Sequence, residues 1–274
     1  MNGEQWLAMI GRCDLTHEEF ESLEDELTLD EAEWKVCDSP AIRLRYVCTR
    51  TTERKLRLYF CSGCRRQTHL YYRDGSFKYL TTGENYAEGL ASDEERHWAE
   101  YGAEASTFGY DFDVDFWNRY PGEGSAVVQS LVKIGALEET ALNGGEWIVH
   151  ETVRTRLLHA AVLLEFALSR LTHRPFGSRI AFPLNGPDWP GCWLSDCVFG
   201  NPFRPVVTDP AWLTTTVQSI ASYIYQDRAF DRLPILADAL EEIGCTNADV
   251  LLHCRQPGEH VRGCWVVDLM LGKA

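Results

Sequence analysis

The sequence predicts a mainly α, multi-helix globular protein that leaves room for a small β element. Three observations favour this fold class. Apolar residues recur at helical spacing in several segments, capping signals precede several of those segments, and hydrophobic residues make up 45% of the 274 residues. A chain of this length and composition can bury a sizeable core without disulfides or metal ions.

Residues 1–105 are predicted to form an N-terminal helical region. Short helices are expected within 3–27, where a capping box follows the first apolar stripe. Residues 41–48 alternate apolar and basic side chains, which is typical of a strand. A basic helix is expected over 53–72. A second capping box predicts an acidic helix over 92–104.

A variable central region is predicted over 106–199. Its main feature is a long helix over 147–171, in which apolar side chains recur at helical spacing. A Pro that follows His173 and Arg174 favours the end of this helix. Residues 174–208 are rich in Pro, Gly and aromatic side chains, which predicts a long ordered loop.

Residues 200–274 are predicted to form a C-terminal module of short helices. Asp209 followed by Pro210 is a favoured helix start, with an N-cap carboxylate and a proline in the first turn. A second helix is expected over 234–244 and a last one over 264–271. The module is therefore expected to be compact and helical.

Three motifs of this module carry a resemblance to a known family. They are GNPFRP at 200–205, RAFDRLPILADAL at 228–240 and HVRGCWVVD at 260–268, and a weaker match covers 53–66. Together they resemble an uncharacterised paralogous family of planctomycete-type bacteria, some members of which are labelled as similar to cell-wall-assembly regulators. The resemblance implies a bacterial protein and a partner-recognition scaffold, and it implies no specific activity.

Charge is segregated along the chain. The formal net charge is −15, and the net charges of 1–38, 39–80 and 81–118 are −10, +8 and −9. The overall charge argues against general affinity for nucleic acid, because phosphates would be repelled. One interpretation is that these segments pack together and neutralise one another. The other is that an acidic surface binds a basic protein partner.

The chain has no apolar stretch long enough to span a membrane, and its first residues do not match a signal peptide. We therefore expect a cytoplasmic protein. In that compartment the ten cysteines are expected to be free thiols, many of them buried.

A zinc site is one functional alternative. Cys61 and Cys64 have the C-x2-C spacing that allows two thiolates to bind one ion. A second pair of ligands could come from Cys254 with His260, or from His260 with Cys264. The competing interpretation is that these cysteines are buried structural thiols.

Two further alternatives concern catalysis and nucleic acid. His260, Cys264 and Asp268 are spaced four residues apart, so a continuous helix would align them as a cysteine nucleophile with its base. The basic segment 43–78 could bind single-stranded nucleic acid by charge and stacking. Its candidate contacts are Arg54, Arg57, Arg65, Arg66 and Arg73.

The favoured function is a non-enzymatic protein-interaction scaffold or regulatory module that needs no cofactor. The common nucleotide-binding, metalloprotease and hydrolase signatures are absent from the sequence. Nine tryptophans and the segregated charge are consistent with recognition of a protein partner. The zinc-binding or cysteine-dependent enzyme and the nucleic-acid-binding protein remain the alternatives.

Overall fold

The computed structural model describes residues 28–67, 75–103 and 189–273, together with the short pieces 137–139, 147–149, 163–164, 167–169 and 184. Within these residues the chain is mainly helical, which confirms the predicted fold class. The helices predicted within 3–27 lie outside the described residues. None of the described helices is long and apolar enough to cross a membrane.

The N-terminal part of the described chain is helical. It contains α1 (Glu31–Val36), α2 (Pro40–Val47), α3 (Glu53–Arg66) and α4 (Gly75–Ala87), followed by helical residues 93–103. Ser92 and Glu95 form the predicted capping box, since each backbone amide donates to the other side chain at 2.7 and 3.2 Å. The acidic helix is therefore confirmed.

Helix α2 occupies the segment 41–48 for which alternation predicts a strand, and that prediction is wrong. Ser39 Oγ accepts the amide hydrogen of Ile42 at 3.3 Å, and Pro40 stands in the first turn. Both features favour a helix start. The alternation misleads because the two basic side chains, Arg43 and Arg45, are buried as well as the apolar ones.

Helix α3 carries five of the ten basic side chains of the segment 43–78. Thr52 Oγ1 accepts the amide hydrogen of Lys55 at 3.3 Å and begins the helix, which ends at Arg66. The predicted helix 53–72 is confirmed to that point, and 68–72 lies outside the described residues.

The described central residues include a short β element. Strands β1 (Leu137–Glu139) and β2 (Trp147–Val149) pair antiparallel, with Glu138 opposite Ile148. The predicted helix 147–171 is therefore wrong at its start, because aromatic and β-branched residues there find a partner strand. Residues 163–164 and 167–168 are helical, in agreement with the later part of that prediction.

The C-terminal part contains α5 (Cys192–Phe199), α6 (Thr215–Asp227), α7 (Leu233–Glu242), α8 (Ala248–Arg255) and α9 (Trp265–Leu271). Helix α5 lies inside 174–208, so the loop prediction is wrong for these residues. Gly191 and Gly200, both with positive φ, bracket a helix whose apolar side is buried. In the described part of this segment, 189–208, glycines stand at the helix ends and aromatic side chains pack against the core.

A helical turn begins at Asp209 as predicted, but it is a 3-10 turn and not the start of an α-helix. Asp209 Oδ1 accepts the amide hydrogen of Ala211 at 2.9 Å, but the helix is a single 3-10 turn, Pro210–Trp212. Helix α6 begins separately, where Thr214 Oγ1 caps the amide of Val217 at 3.3 Å.

One cluster of buried apolar side chains joins the described parts of all three predicted regions, from Trp34 to Met270. Helix α3 runs through it and contacts α4 and α5. Its residues Leu58, Tyr59 and Phe60 are fully buried. The described parts of 1–105 and 200–274 therefore share a core.

Ion pairs connect the basic and acidic segments. Arg54 contacts Glu88 at 2.9 Å, and Arg65 contacts Glu84 at 2.6 Å. Both carboxylates are almost completely buried. These pairs support the interpretation that the segregated charges pack together and neutralise one another.

Candidate metal centre

Four metal-ligand side chains converge between α5 and the last two helices. Cys197 lies on α5, His253 on α8, His260 in the loop after α8, and Cys264 at the N-cap of α9. Their ligand atoms all lie within 4.8 Å of one another. The two cysteines and His253 are buried, and His260 is partly buried. Two thiols and two imidazoles form a donor set that is typical of zinc.

Local structure holds these ligands in place. Asn247 Oδ1 caps α8 through the amide of Val250 at 3.1 Å, and His253 follows in the last turn of that helix. Gly263 has φ +92° directly before Cys264, and a Cβ at this position would lie 3.0 Å from Leu58 Cβ. Glycine therefore permits both the left-handed turn and the close approach to α3.

A buried lysine joins the two segments that carry the thiols. Lys55 Nζ donates to the carbonyl oxygen of Val198 at 3.1 Å and to that of Gly263 at 2.8 Å. Val198 follows Cys197 in the chain, and Gly263 precedes Cys264. Helix α3 therefore fixes the separation of the two sulfur ligands from outside the ligand set.

The separations of the donor atoms are close to those of a tetrahedral ion. His253 Nε2 lies 3.3 Å from Cys264 Sγ, and His260 Nδ1 lies 3.7 Å from Cys197 Sγ. Bonds of about 2.0–2.3 Å at tetrahedral angles place such atoms about 3.3–3.8 Å apart. The most distant donors would have to approach by about 1 Å to bind one ion.

Outer contacts orient His253. The Gln256 side-chain amide lies 3.3 Å from His253 Nδ1, on the ring nitrogen that does not face the thiols. The atom nearest the ring is the amide nitrogen Nε2, which donates to Nδ1. A half-turn of the amide group places its oxygen there instead, and in that orientation Nδ1 keeps its hydrogen and the imidazole Nε2 offers its lone pair to a metal ion. The Trp265 ring, with its centre 5.3 Å from that of His253, packs beside it.

The two thiols differ in acidity. Burial raises the pKa of Cys197 well above its ordinary value, and the adjacent Cys264 raises it further. Burial alone would also raise the pKa of Cys264, but the hydrogen bond from Cys197 and the charge of His253 outweigh it. The pKa of Cys264 is therefore well below its ordinary value. One thiolate is available to a metal ion before the other proton leaves.

The structure brings together two of the five residues proposed from the sequence as metal ligands, His260 and Cys264. It does not bring Cys254 into the group. As the neighbour of His253 on α8, Cys254 points about 100° away around the helix and is buried in the core.

Cys61 and Cys64 also lie outside the four-ligand group, so the C-x2-C pair does not contribute to it. Both are buried on α3, and burial raises the pKa of the Cys61 thiol. Their C-x2-C spacing lies within a helix in the core. The structure therefore supports the interpretation of buried structural thiols for this pair. None of the nine described cysteines forms a disulfide.

Sequence reasoning missed Cys197 and His253. Cys197 stands in a segment predicted as a loop, 63 residues before His260. His253 could have been found from the sequence, because it lies in the same short segment as His260 and Cys264.

The predicted alignment of His260, Cys264 and Asp268 along one helix is not present in the structure. His260 lies in a loop, so it shares no helix with Cys264. Asp268 is 1% exposed and pairs with Arg54 at 2.8 Å and with Lys55 at 2.7 Å. The carboxylate is therefore engaged by α3 and does not orient the imidazole.

The arginines proposed to bind nucleic acid face mainly inward. Their partners are Glu88 and Asp268 for Arg54, the carbonyls of Ala167 and Ser169 for Arg57, Glu84 for Arg65, and Glu259 for Arg66. Arg73 lies outside the described residues. These internal contacts do not favour an open surface for a nucleic-acid strand.

A cavity of about 760 Å³ lies beside the four ligands. Cys197 and His253 are among its lining residues, with the indoles of Trp193 and Trp265 and the exposed side chain of Leu252. The metal centre is thus built against a recess of the size that proteins use for ligands.

Comparison with known proteins adds no relative: no family model, no curated protein and no solved structure matches the chain. The planctomycete-type family therefore remains a prediction from the sequence.

Proposed function

We propose that this chain is a zinc-binding protein in which Cys197, His253, His260 and Cys264 hold one structural zinc ion. The observation that carries the proposal is the convergence of four soft or borderline donors within 4.8 Å. Cys2His2 sets with tetrahedral spacing select zinc over magnesium and calcium, which require oxygen ligands.

The number of protein ligands favours a structural role. Catalytic zinc sites have three protein ligands and leave the fourth position to water or substrate, whereas structural sites use four. Here four side chains fill the set. The ion would join α5 to the loop between α8 and α9, and would hold the Cys197 and Cys264 thiolates in an environment that disfavours an isolated charge.

Metal analysis of matched variants tests the proposal. The full chain is purified under reducing conditions, and its zinc is measured for wild type, Cys264→Ser and Cys254→Ser. Both cysteines are buried, but only Cys264 belongs to the donor set. We expect one zinc per chain in wild type and in Cys254→Ser, and loss of zinc in Cys264→Ser. Equal zinc content in the two variants would contradict the proposal.

The second candidate function is a non-enzymatic protein-interaction module, of which the zinc ion is an internal support. Two features favour it: the filled donor set, and the recess beside it with two indole walls. Tryptophan is enriched where protein surfaces bind partners. Leu252, which is 66% exposed, lies at this recess.

Site-specific crosslinking in living cells tests the interaction module. A photoreactive amino acid replaces Leu252 in one variant and Val207, which is 85% exposed and does not line the recess, in the other. We expect one discrete protein adduct from position 252 and none from 207. The same pattern of adducts from both positions would exclude the recess as the partner site.

A further inference from the structure

A second cavity, of about 410 Å³, is lined by arginines. Its lining includes Arg65, Arg66, Arg228, Ser62, Phe230 and His260. Among the described residues that line it, none is a carboxylate. This composition is unusual in a chain whose formal net charge is −15, and it indicates a place where negative charge is attracted.

The charges around this cavity do not balance internally. Arg65 binds Glu84 with both carboxylate oxygens, at 2.6 and 2.9 Å, and Arg228 contacts the same carboxylate. Arg262 lies 3.9 Å from it. Three guanidinium groups thus share the single negative charge of Glu84, which is buried.

Arg66 does not restore the balance. It pairs with Glu259 and stacks on the Trp193 ring, with its guanidinium carbon 4.8 Å from the ring centre. The cluster therefore contains four guanidinium groups and two carboxylates, which leaves two positive charges. A phosphate dianion would neutralise them.

Arg262 is incompletely satisfied. Its Nε is buried without a hydrogen-bond partner among the described residues. Its remaining polar contacts are long, 3.5 Å to the Tyr225 carbonyl oxygen and 3.9 Å to Glu84. Buried donors without partners are rare in folded proteins, and an absent ion or water is one explanation for them. Arg262 does not itself line the cavity, but it follows Val261, which does.

Arg228 is held in an uncommon backbone conformation. Its φ of 53° makes it the one non-glycine residue with positive φ in the described chain. Glycine would adopt this conformation without strain. Burial lowers the pKa of the Arg228 guanidinium, and Arg262 and Arg65 lower it further against the opposing effect of Glu84. An arginine at this position is therefore costly, and its ion pair with Glu84 through Nη2 offsets part of that cost.

We propose that this arginine cavity binds the phosphate group of a small phosphate ester. Arginine guanidinium groups donate paired hydrogen bonds that match the oxygens of phosphate. Arg228 and Arg66 supply partly exposed donors, the Ser62 hydroxyl adds a further polar group, and Phe230 forms an apolar wall for an organic substituent. The volume exceeds what the phosphate group alone requires, so an ester fits better than the free ion.

Calorimetric titration of the full chain with two probes tests this site. Inorganic phosphate and phenyl phosphate are each added at constant ionic strength to wild type, Arg228→Gly and Arg232→Gln. Glycine is unstrained at position 228, so the first variant adds no backbone strain, and circular dichroism checks that it is folded. Arg232 is a more exposed arginine that does not line the cavity, and its variant controls for the loss of one positive charge.

We expect both probes to bind wild type and Arg232→Gln, with phenyl phosphate the tighter. Binding to Arg228→Gly should be at least about tenfold weaker, because a charge-assisted hydrogen bond is lost. Stronger binding of inorganic phosphate would identify the free ion as the ligand of the same site. Absence of binding by both probes at millimolar concentration, or equal loss in the two variants, would overturn the proposal. Zinc content is measured in parallel, so failure of the metal centre is recognised separately.

Discussion

Replacing Cys264 by serine should remove the zinc ion and the cross-link that it forms between distant parts of the chain. The longest link joins Cys197 to Cys264, which are 67 residues apart in the sequence. Closing a loop of this length reduces the entropy of the unfolded chain by an amount equivalent to about 4 kcal/mol at 25 °C. For a chain of this size, a loss of 4 kcal/mol lowers the midpoint of thermal unfolding by about 10 °C.

The serine itself has a cost that must be separated from that of the metal. Burying a hydroxyl in place of a thiol costs about 1–3 kcal/mol when it finds no partner. Cys254→Ser has the same cost, since Cys254 is 1% exposed, but it leaves the four ligands intact. The difference in unfolding midpoint between the two variants therefore reports the contribution of the ion.

Thermal unfolding followed by circular dichroism, with zinc and with a chelator, provides the assay. Wild type and Cys254→Ser should lose about 10 °C when the chelator is added, in line with the loop estimate. Cys264→Ser should be insensitive to it. If the chelator leaves the wild-type midpoint unchanged, or if the two variants unfold together in excess zinc, the structural role of the four ligands is refuted.

Three further predictions concern the two thiol ligands, Glu84 and Gly63. Because burial and the adjacent Cys264 raise the pKa of Cys197, and its proton must leave before the sulfur binds a metal ion, zinc affinity should increase with pH, measured by chelator competition at several pH values. Glu84→Gln should cost about 1–3 kcal/mol in urea unfolding, because the buried Glu84 carboxylate loses its charge-assisted hydrogen bonds to two partly exposed arginines. Burial alone would raise the pKa of Glu84, but the arginines hold it below its ordinary value. Its contribution is therefore present above about pH 4.3 and is lost as pH falls through the lower folded pKa, so the variant should show a weaker dependence in acid. Gly63→Ala should destabilise the chain by about 1–3 kcal/mol in the same assay, since its Cβ would lie 2.0–2.7 Å from the Trp189 ring; an unchanged midpoint would contradict the packing described for α3.

The helical class and several helix ends could be predicted because their causes are local. The capping box at Ser92 and Glu95 and the cap at Asp209 depend on side chains within three residues of the amides that they bind. The predictions failed where contacts with residues distant in the sequence determined the secondary structure. Residues 41–48 have an alternating pattern, but Arg43 is buried because it reaches Asp196 at 2.6 Å. Residues 147–149 form a strand with 137–139 in place of a helix start.

Part of the metal centre could likewise be predicted from the sequence, and part could not. The segment from 253 to 264 shows its three ligands as a local cluster of His and Cys, and His260 and Cys264 could be proposed from the sequence for that reason. Only the tertiary structure added Cys197, because no local pattern connects residues 63 positions apart. The arginine cavity could not be predicted for a related reason. The sequence shows the four arginines of the cluster as charges, but their excess over Glu84 and Glu259 depends on which side chains the fold places together. The sequence by itself determined the helical class, the capped helix ends and the overall acidity, since these depend on neighbours within a few residues. The tertiary structure decided which donors converge and which charges remain uncompensated, since both are set by packing between distant segments.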